Sequence, residues 1–134
     1  MKKMNLVVGG IVVVLVVVLS FLGSRPEPKA TYNPATEARI QGSVLEVQEF
    51  YCPVTEDRGS HLIVKTSSGP VLVHVGVARN LRTNHITFSP GDRVEVVGSA
   101  FRFKRADSLI AREISRGNET FTIRDADGKL RLTD

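Results

Sequence analysis

Beyond residue 36 the chain alternates apolar and polar positions with a period of two, the mark of half-buried strands. Ala38 to Val47 reads ARIQGSVLEV, one long strand with Gly42 inside it. Phe50 to Gly59, with Pro53 and a polar run, is expected as a loop. His61 to Val75 has the form of a hairpin. Centring its turn on Ser68-Gly69 pairs Val64 with Val73 and Leu62 with Val75 on one face. The other face then carries His61, Ile63, Lys65, Leu72 and His74. Gly76 to Thr83 loses the alternation, and Val77 and Leu81 share a helical face, so a short helix is predicted there.

Pro90-Gly91-Asp92 is a turn made of residues that suit one. From it runs a fourth strand with Val94 and Val96 on one face, Gly98 as a bend, and Phe101 and Phe103 continuing. Lys104 to Ser108 turns, and Leu109 to Ile114 is a fifth strand. A C-terminal hairpin over 119–132 follows, turning at Asp125 to Gly128.

The N-terminus has a different pattern. Asn5 to Leu22 is an uncharged apolar run after Lys2 and Lys3, close to the roughly 20 residues that span a bilayer. No small-residue cleavage site precedes Ser24, so residues 1–23 are expected to be an uncleaved transmembrane anchor. The early lysines put the N-terminus in the cytoplasm and the rest of the chain outside it, in the periplasm if there are two membranes. Ser24 to Thr36, with Pro26, Pro28 and Pro34, reads as an extended tether, and 37–134 as the folded domain.

The predicted fold class is mainly β: a five-stranded barrel with a short helix between strands 3 and 4, a C-terminal β-hairpin, and one transmembrane helix ahead of it. Its strand order, the bend glycines Gly42 and Gly98, and the phrase PGDRVEVVG resemble an OB-fold, and the layout is similar to small bacterial extracytoplasmic OB-fold proteins. The resemblance covers about residues 37–116 and implies a fold without transferring any functional residue. The layout is also similar to the haem chaperone of cytochrome c maturation. That family holds haem through a His and a Tyr in its C-terminal tail, and here no His follows His85.

Composition adjusts this picture in three ways. The formal charge is +4, but Lys2, Lys3, Arg25 and Lys29 against Glu27 place +3 of it in residues 1–36. The domain is therefore nearly neutral, and the basic balance is no nucleic-acid footprint. Cys52 is the single cysteine, so no internal disulfide forms, and a buried apolar role is expected for it. No nucleophile–base pair or carboxylate pair is evident, so no enzyme is expected.

OB-folds bind ligands on the face of strands 2 and 3, between the loops that join strands 1–2 and 4–5. Here that face gives His61, Ile63, Lys65, Leu72 and His74, and the second loop region adds Arg102, Lys104 and Arg105. Ile63 and Leu72 would form an apolar platform, and the basic residues would suit an envelope protein or a small anionic ligand. The ordinary alternative is a half-exposed strand face covered by the C-terminal hairpin. The second functional reading is single-stranded nucleic acid, which needs stacking aromatics. Phe50, Tyr51, Phe101 and Phe103 are available, but none lies on the strand 2–3 face, so nucleic acid is disfavoured. For a metal, Cys52, His61, His74 and His85 are the soft or imidazole ligands available, but the assumed register sets His74 across from Ile63 and no close ligand pair such as CxxC occurs. No metal and no cofactor are therefore expected.

Overall fold

The computed structural model describes residues 31–132. The expected anchor lies outside them. Among the described residues no helix is long and apolar enough to cross a membrane. A 3-10 turn, Pro34–Thr36, leads into β1 (Glu37–Cys52), β2 (Asp57–Thr66), β3 (Gly69–Val77), helix α1 (Ala78–Thr83), β4 (Arg93–Phe103), β5 (Ala106–Arg116) and β6 (Glu119–Thr122).

The sheet order is β3-β2-β1-β4-β5-β6, and a parallel pairing of β3 with β5 closes the first five strands into a barrel. The long first strand makes this possible. Its first half pairs with β4 and its second half with β2, and the change of partner occurs at Gly42–Ser43. A Cβ on Gly42 would sit 2.1 Å from the Lys65 carbonyl oxygen, and one on Gly98 would sit 2.2 Å from that of Ile110. Both bends therefore require glycine for close backbone approach, as the sequence pattern predicts.

The core gathers Val44, Leu62, Val64, Val73, Val75, Val94, Val96, Leu109 and Ile114, with Leu81 and Ile86 from the helix region at one end. The turn opening β4 is held by Asp92, whose carboxylate accepts from the Ser89 amide at 2.9 Å and from Arg116 at 3.1 Å. Arg116 in turn lies over the rings of Phe88 and Phe121, tying the turn to β6.

Several expectations are corrected. The β2–β3 hairpin turns at Ser67-Ser68, not Ser68-Gly69, so Leu62 faces Val73 and Val64 faces Val71. Thr66 fixes this position: its hydroxyl donates to the Gly69 carbonyl at 2.7 Å and accepts from the Ser68 amide at 3.2 Å. Partners move by two residues, so each side chain keeps its predicted face. The expected loop over residues 50–59 shrinks to 53–56, because β1 and β2 stay paired as far as Cys52 and Asp57. The 104–108 turn shrinks to Lys104-Arg105, because Phe103 pairs with Ala106. The C-terminal hairpin is shorter than expected: β6 joins the sheet beside β5, and beyond it the chain turns at Asp125–Gly128 and pairs back through the Arg124–Leu130 bridge, the Arg131 amide donating to the Ile123 carbonyl at 2.9 Å. Residues 33–36 of the expected tether are docked on the barrel, where the Asn33 amide donates to the Ser99 hydroxyl at 3.0 Å.

Candidate functional site

The corrected register brings together residues that the sequence kept apart. His61 on β2 and His74 on β3 are direct cross-strand partners. A bulge at Leu45 resets the phase of β1, so Gln48 pairs with His61 and the alternation carries Phe50 and Cys52 onto the same face as both histidines. Cys52 Sγ lies 3.2 Å from His74 Nδ1. The ligand-capable atoms of Cys52, His61 and His74 all lie within 4.8 Å of one another.

Aromatic rings wall the cluster. Phe50 stacks on the His61 imidazole, centroids 3.6 Å apart and planes 5° apart. Phe103 meets His74 edge-on at 5.0 Å, and Phe101 packs on it at 5.2 Å. As a result Cys52 is 2%, His61 0% and His74 1% exposed. Both ring nitrogens of His61 and Nε2 of His74 are buried without a hydrogen-bond partner. Burial without compensation disfavours the charged imidazole. It lowers His61 from 6.5 to about 4, against a weaker opposing pull from the Gly59 and Gln48 carbonyls. It lowers His74 to about 3, with His61 and Arg124 adding to the effect. Both rings are neutral at pH 7, with lone pairs free to donate.

Arg124, 2% exposed, is the charged neighbour. Its guanidinium donates to the Val75 carbonyl at 2.8 Å and to that of Ala111, bracing the closure of β3 against β5. Desolvation lowers it from 12.5 to about 10, and the charges of Cys52 and Tyr32 act in the opposite direction. Among the described residues no carboxylate forms an ion pair with it.

The residues singled out in the sequence divide into two groups. His61 and His74 are sealed inside, so they cannot form part of an open platform. Ile63 and Leu72 are half-buried, while Lys65, Arg102, Lys104 and Arg105 are exposed. Lys104 and Arg105 form the two-residue tip of the β4–β5 hairpin, and Lys104 Nζ lies 5.3 Å from the centroid of Phe103. Arg102 bonds the Arg105 carbonyl at 2.7 Å and Asp107 at 3.3 Å. The basic tip thus adjoins the aromatic wall of the cluster. Sequence reasoning missed Phe50, Phe101, Phe103 and Arg124 as parts of this site, and had Cys52 only as one of four scattered ligand-capable residues. The alternation Gln48, Phe50, Cys52 was the available signal, and it was lost by ending the first strand at Val47.

Residues 36–121 match the model of the MamS/MamX magnetosome protein family. The chain belongs to this family. No curated protein matches it. Among solved structures, it is similar to the N-terminal domain of the PriB protein from Thermoanaerobacter tencongensis, described as dimeric. The identity is 17% and the TM-score 0.45, over 63% of this chain and 99% of that one. The matched family region of this MamS/MamX chain takes in all of β1 to β5, and so Cys52, His61, His74 and the basic tip.

Proposed function

We propose that this MamS/MamX family chain is a membrane-anchored binding module. Asn5 to Leu22 forms its single span, and the barrel stands outside the cytoplasm on a short tether. The barrel presents the β2–β3 face, with the β1–β2 and β4–β5 connections, to an envelope protein or a small anionic ligand. One observation carries the reading. The two connections and the face between them, where OB barrels take their ligands, converge on one incompletely satisfied cluster beside an exposed basic tip.

The nucleic-acid reading is weaker. Three of its four aromatic candidates, Phe50, Phe101 and Phe103, are packed against His61 and His74 and offer no free stacking platform.

The test uses the full chain in its membrane. A periplasm-dependent reporter fused after Asp134 is expected to be active. A photo-crosslinking residue at Lys104 is expected to give a specific product that one at Gln41, on the distant β1–β4 pairing, does not. An inactive fusion reverses the topology, and equal products at both positions remove the proposed face. A fluorescent single-stranded oligonucleotide is expected to show no salt-dependent binding.

A further inference from the structure

We propose that Cys52, His61 and His74 form a binding site for a soft metal ion, and that the ion is copper(I). The inference rests on the reading of this face as the ligand-handling one and adds to it a metal site beneath the face. Three strands each supply one donor, and none of the three supplies an oxygen. Thiolate plus imidazole suits copper and zinc and excludes calcium and magnesium, which need oxygen ligands. Around one ion, with metal–sulfur near 2.3 Å and metal–nitrogen near 2.0 Å, such donors lie about 3.4–3.8 Å apart. The Cys52–His74 pair is at 3.2 Å, and the whole set is within 4.8 Å. The widest pair needs to close by only about 1 Å, which rotation about side-chain bonds supplies.

A satisfied core histidine is the alternative explanation, and the hydrogen bonding speaks against it. A buried polar atom without a partner gives up its hydration with nothing in return. Here His74 Nε2 and both nitrogens of His61 lack a well-formed partner, the Gly59 and Gln48 carbonyls only approaching His61, and the two rings flank the Cys52 thiol. Metal coordination satisfies one nitrogen of each ring and the sulfur at once. No proton need leave either histidine. Binding forms the metal–sulfur bond and releases the Cys52 proton to solvent.

Charge selects among the soft ions. The cluster is dry, walled by Phe50, Phe101 and Phe103, and an uncompensated charge there is expensive. The Arg124 guanidinium already acts on both Cys52 and His74, and among the described residues no carboxylate pairs with it. A monovalent ion with one thiolate and two neutral imidazoles has no net charge. Zinc(II) in the same cage would leave a net positive charge beside Arg124. A His2Cys set is also a trigonal arrangement that copper accepts. Val54 and Thr55, just past Cys52, line an open depression of about 350 Å3 that also takes in Arg124.

The test is a titration of the full-length, metal-free protein in detergent under reducing conditions, with copper(I) delivered from a coloured chelator and zinc(II) in parallel. One copper(I) per chain is expected, with near-ultraviolet thiolate-to-metal absorption, and X-ray absorption fitting one sulfur and two nitrogens. Cys52→Ser is expected to weaken binding by about 100-fold or more. Absorption spectroscopy on the unmodified protein decides the site even if that variant fails to fold. Zinc(II) held more tightly than copper(I) overturns the charge argument. Copper bound without a sulfur ligand, or no binding above the Cys52→Ser background, overturns the site. Absent copper binding together with intact Lys104 crosslinking refutes this inference alone; loss of both refutes the reading beneath it.

Discussion

The β4–β5 tip holds a strain that can be measured. Lys104 and Arg105 are the two central residues of a two-residue hairpin and have φ of 48° and 65°. Positive φ at both defines a type I′ turn, for which Asn-Gly is the favoured pair. An ordinary L-residue in the left-handed region costs roughly 1–2 kcal/mol. Replacing Arg105 with Gly removes that cost, and the greater freedom of glycine in the unfolded chain returns about 0.5–1 kcal/mol of it. Asn at position 104 tolerates the conformation better than Lys and adds a few tenths. The double replacement Lys104→Asn, Arg105→Gly should therefore stabilise the barrel by about 1 kcal/mol, or raise the Tm by about 4–8 °C for a domain of this size.

A Lys104→Ala, Arg105→Ala control keeps both Cβ atoms and should stay within about 0.5 kcal/mol of the parent. Thermal and urea unfolding of the three proteins measure this. If the Asn-Gly protein is no more stable than the parent, or if Ala-Ala gains as much, the strain argument is wrong. Function supplies the reason to keep such a turn. Strained residues persist where their side chains are needed, so both double variants should lose co-purification of the partner equally, whatever their stability.

Four further outcomes follow. In metal-free protein the depressed pKa values of His61 and His74 give stability that is complete above pH 6.5 and is lost as pH falls toward 4, because the unfolded chain takes up the protons. The loss at pH 5 is about 2 kcal/mol per histidine. Urea midpoints at pH 7.5 and pH 5 should show it, and His61→Phe should halve the slope; an unchanged slope contradicts the burial argument. Gly98→Ala puts a Cβ against the Ile110 carbonyl and should destabilise by more than the ordinary cost of about 1 kcal/mol for a point substitution, as read from the urea midpoint. Leu62→Ala, at a fully buried position on β2, should cost about 2–5 kcal/mol in the same assay. Ser99→Ala removes the hydroxyl that receives the Asn33 amide and contacts Thr36 at 2.9 Å, and should release residues 31–36 to faster amide exchange while the barrel stays protected.

Much of the architecture could be read from the chain. The period of two set the inward faces of β2 to β5, because a strand buried on one side leaves no other arrangement for Val94 and Val96 or Leu62 and Val64. Gly42 and Gly98 marked the bends, since a Cβ at either position would lie 2.1 or 2.2 Å from a backbone carbonyl oxygen. The break at Gly76 to Thr83 gave α1, found at Ala78–Thr83.

Alternation names a face but not a partner. The run Thr66-Ser67-Ser68-Gly69 could turn at either of two places, and both keep every valine inward; the Thr66 hydroxyl decides between them only once the strands are paired. That choice moves His74 from Ile63 to His61. The bulge at Leu45 and the pairing of β1 as far as Cys52 then bring a thiol from a different strand to 3.2 Å. Cys52, His61 and His74 have no telling spacing in sequence, because their meeting depends on cross-strand register and barrel closure. The sequence by itself determined which side of each strand faces the core. Only the tertiary structure decided that one thiol and two imidazoles share a dry pocket beside Arg124.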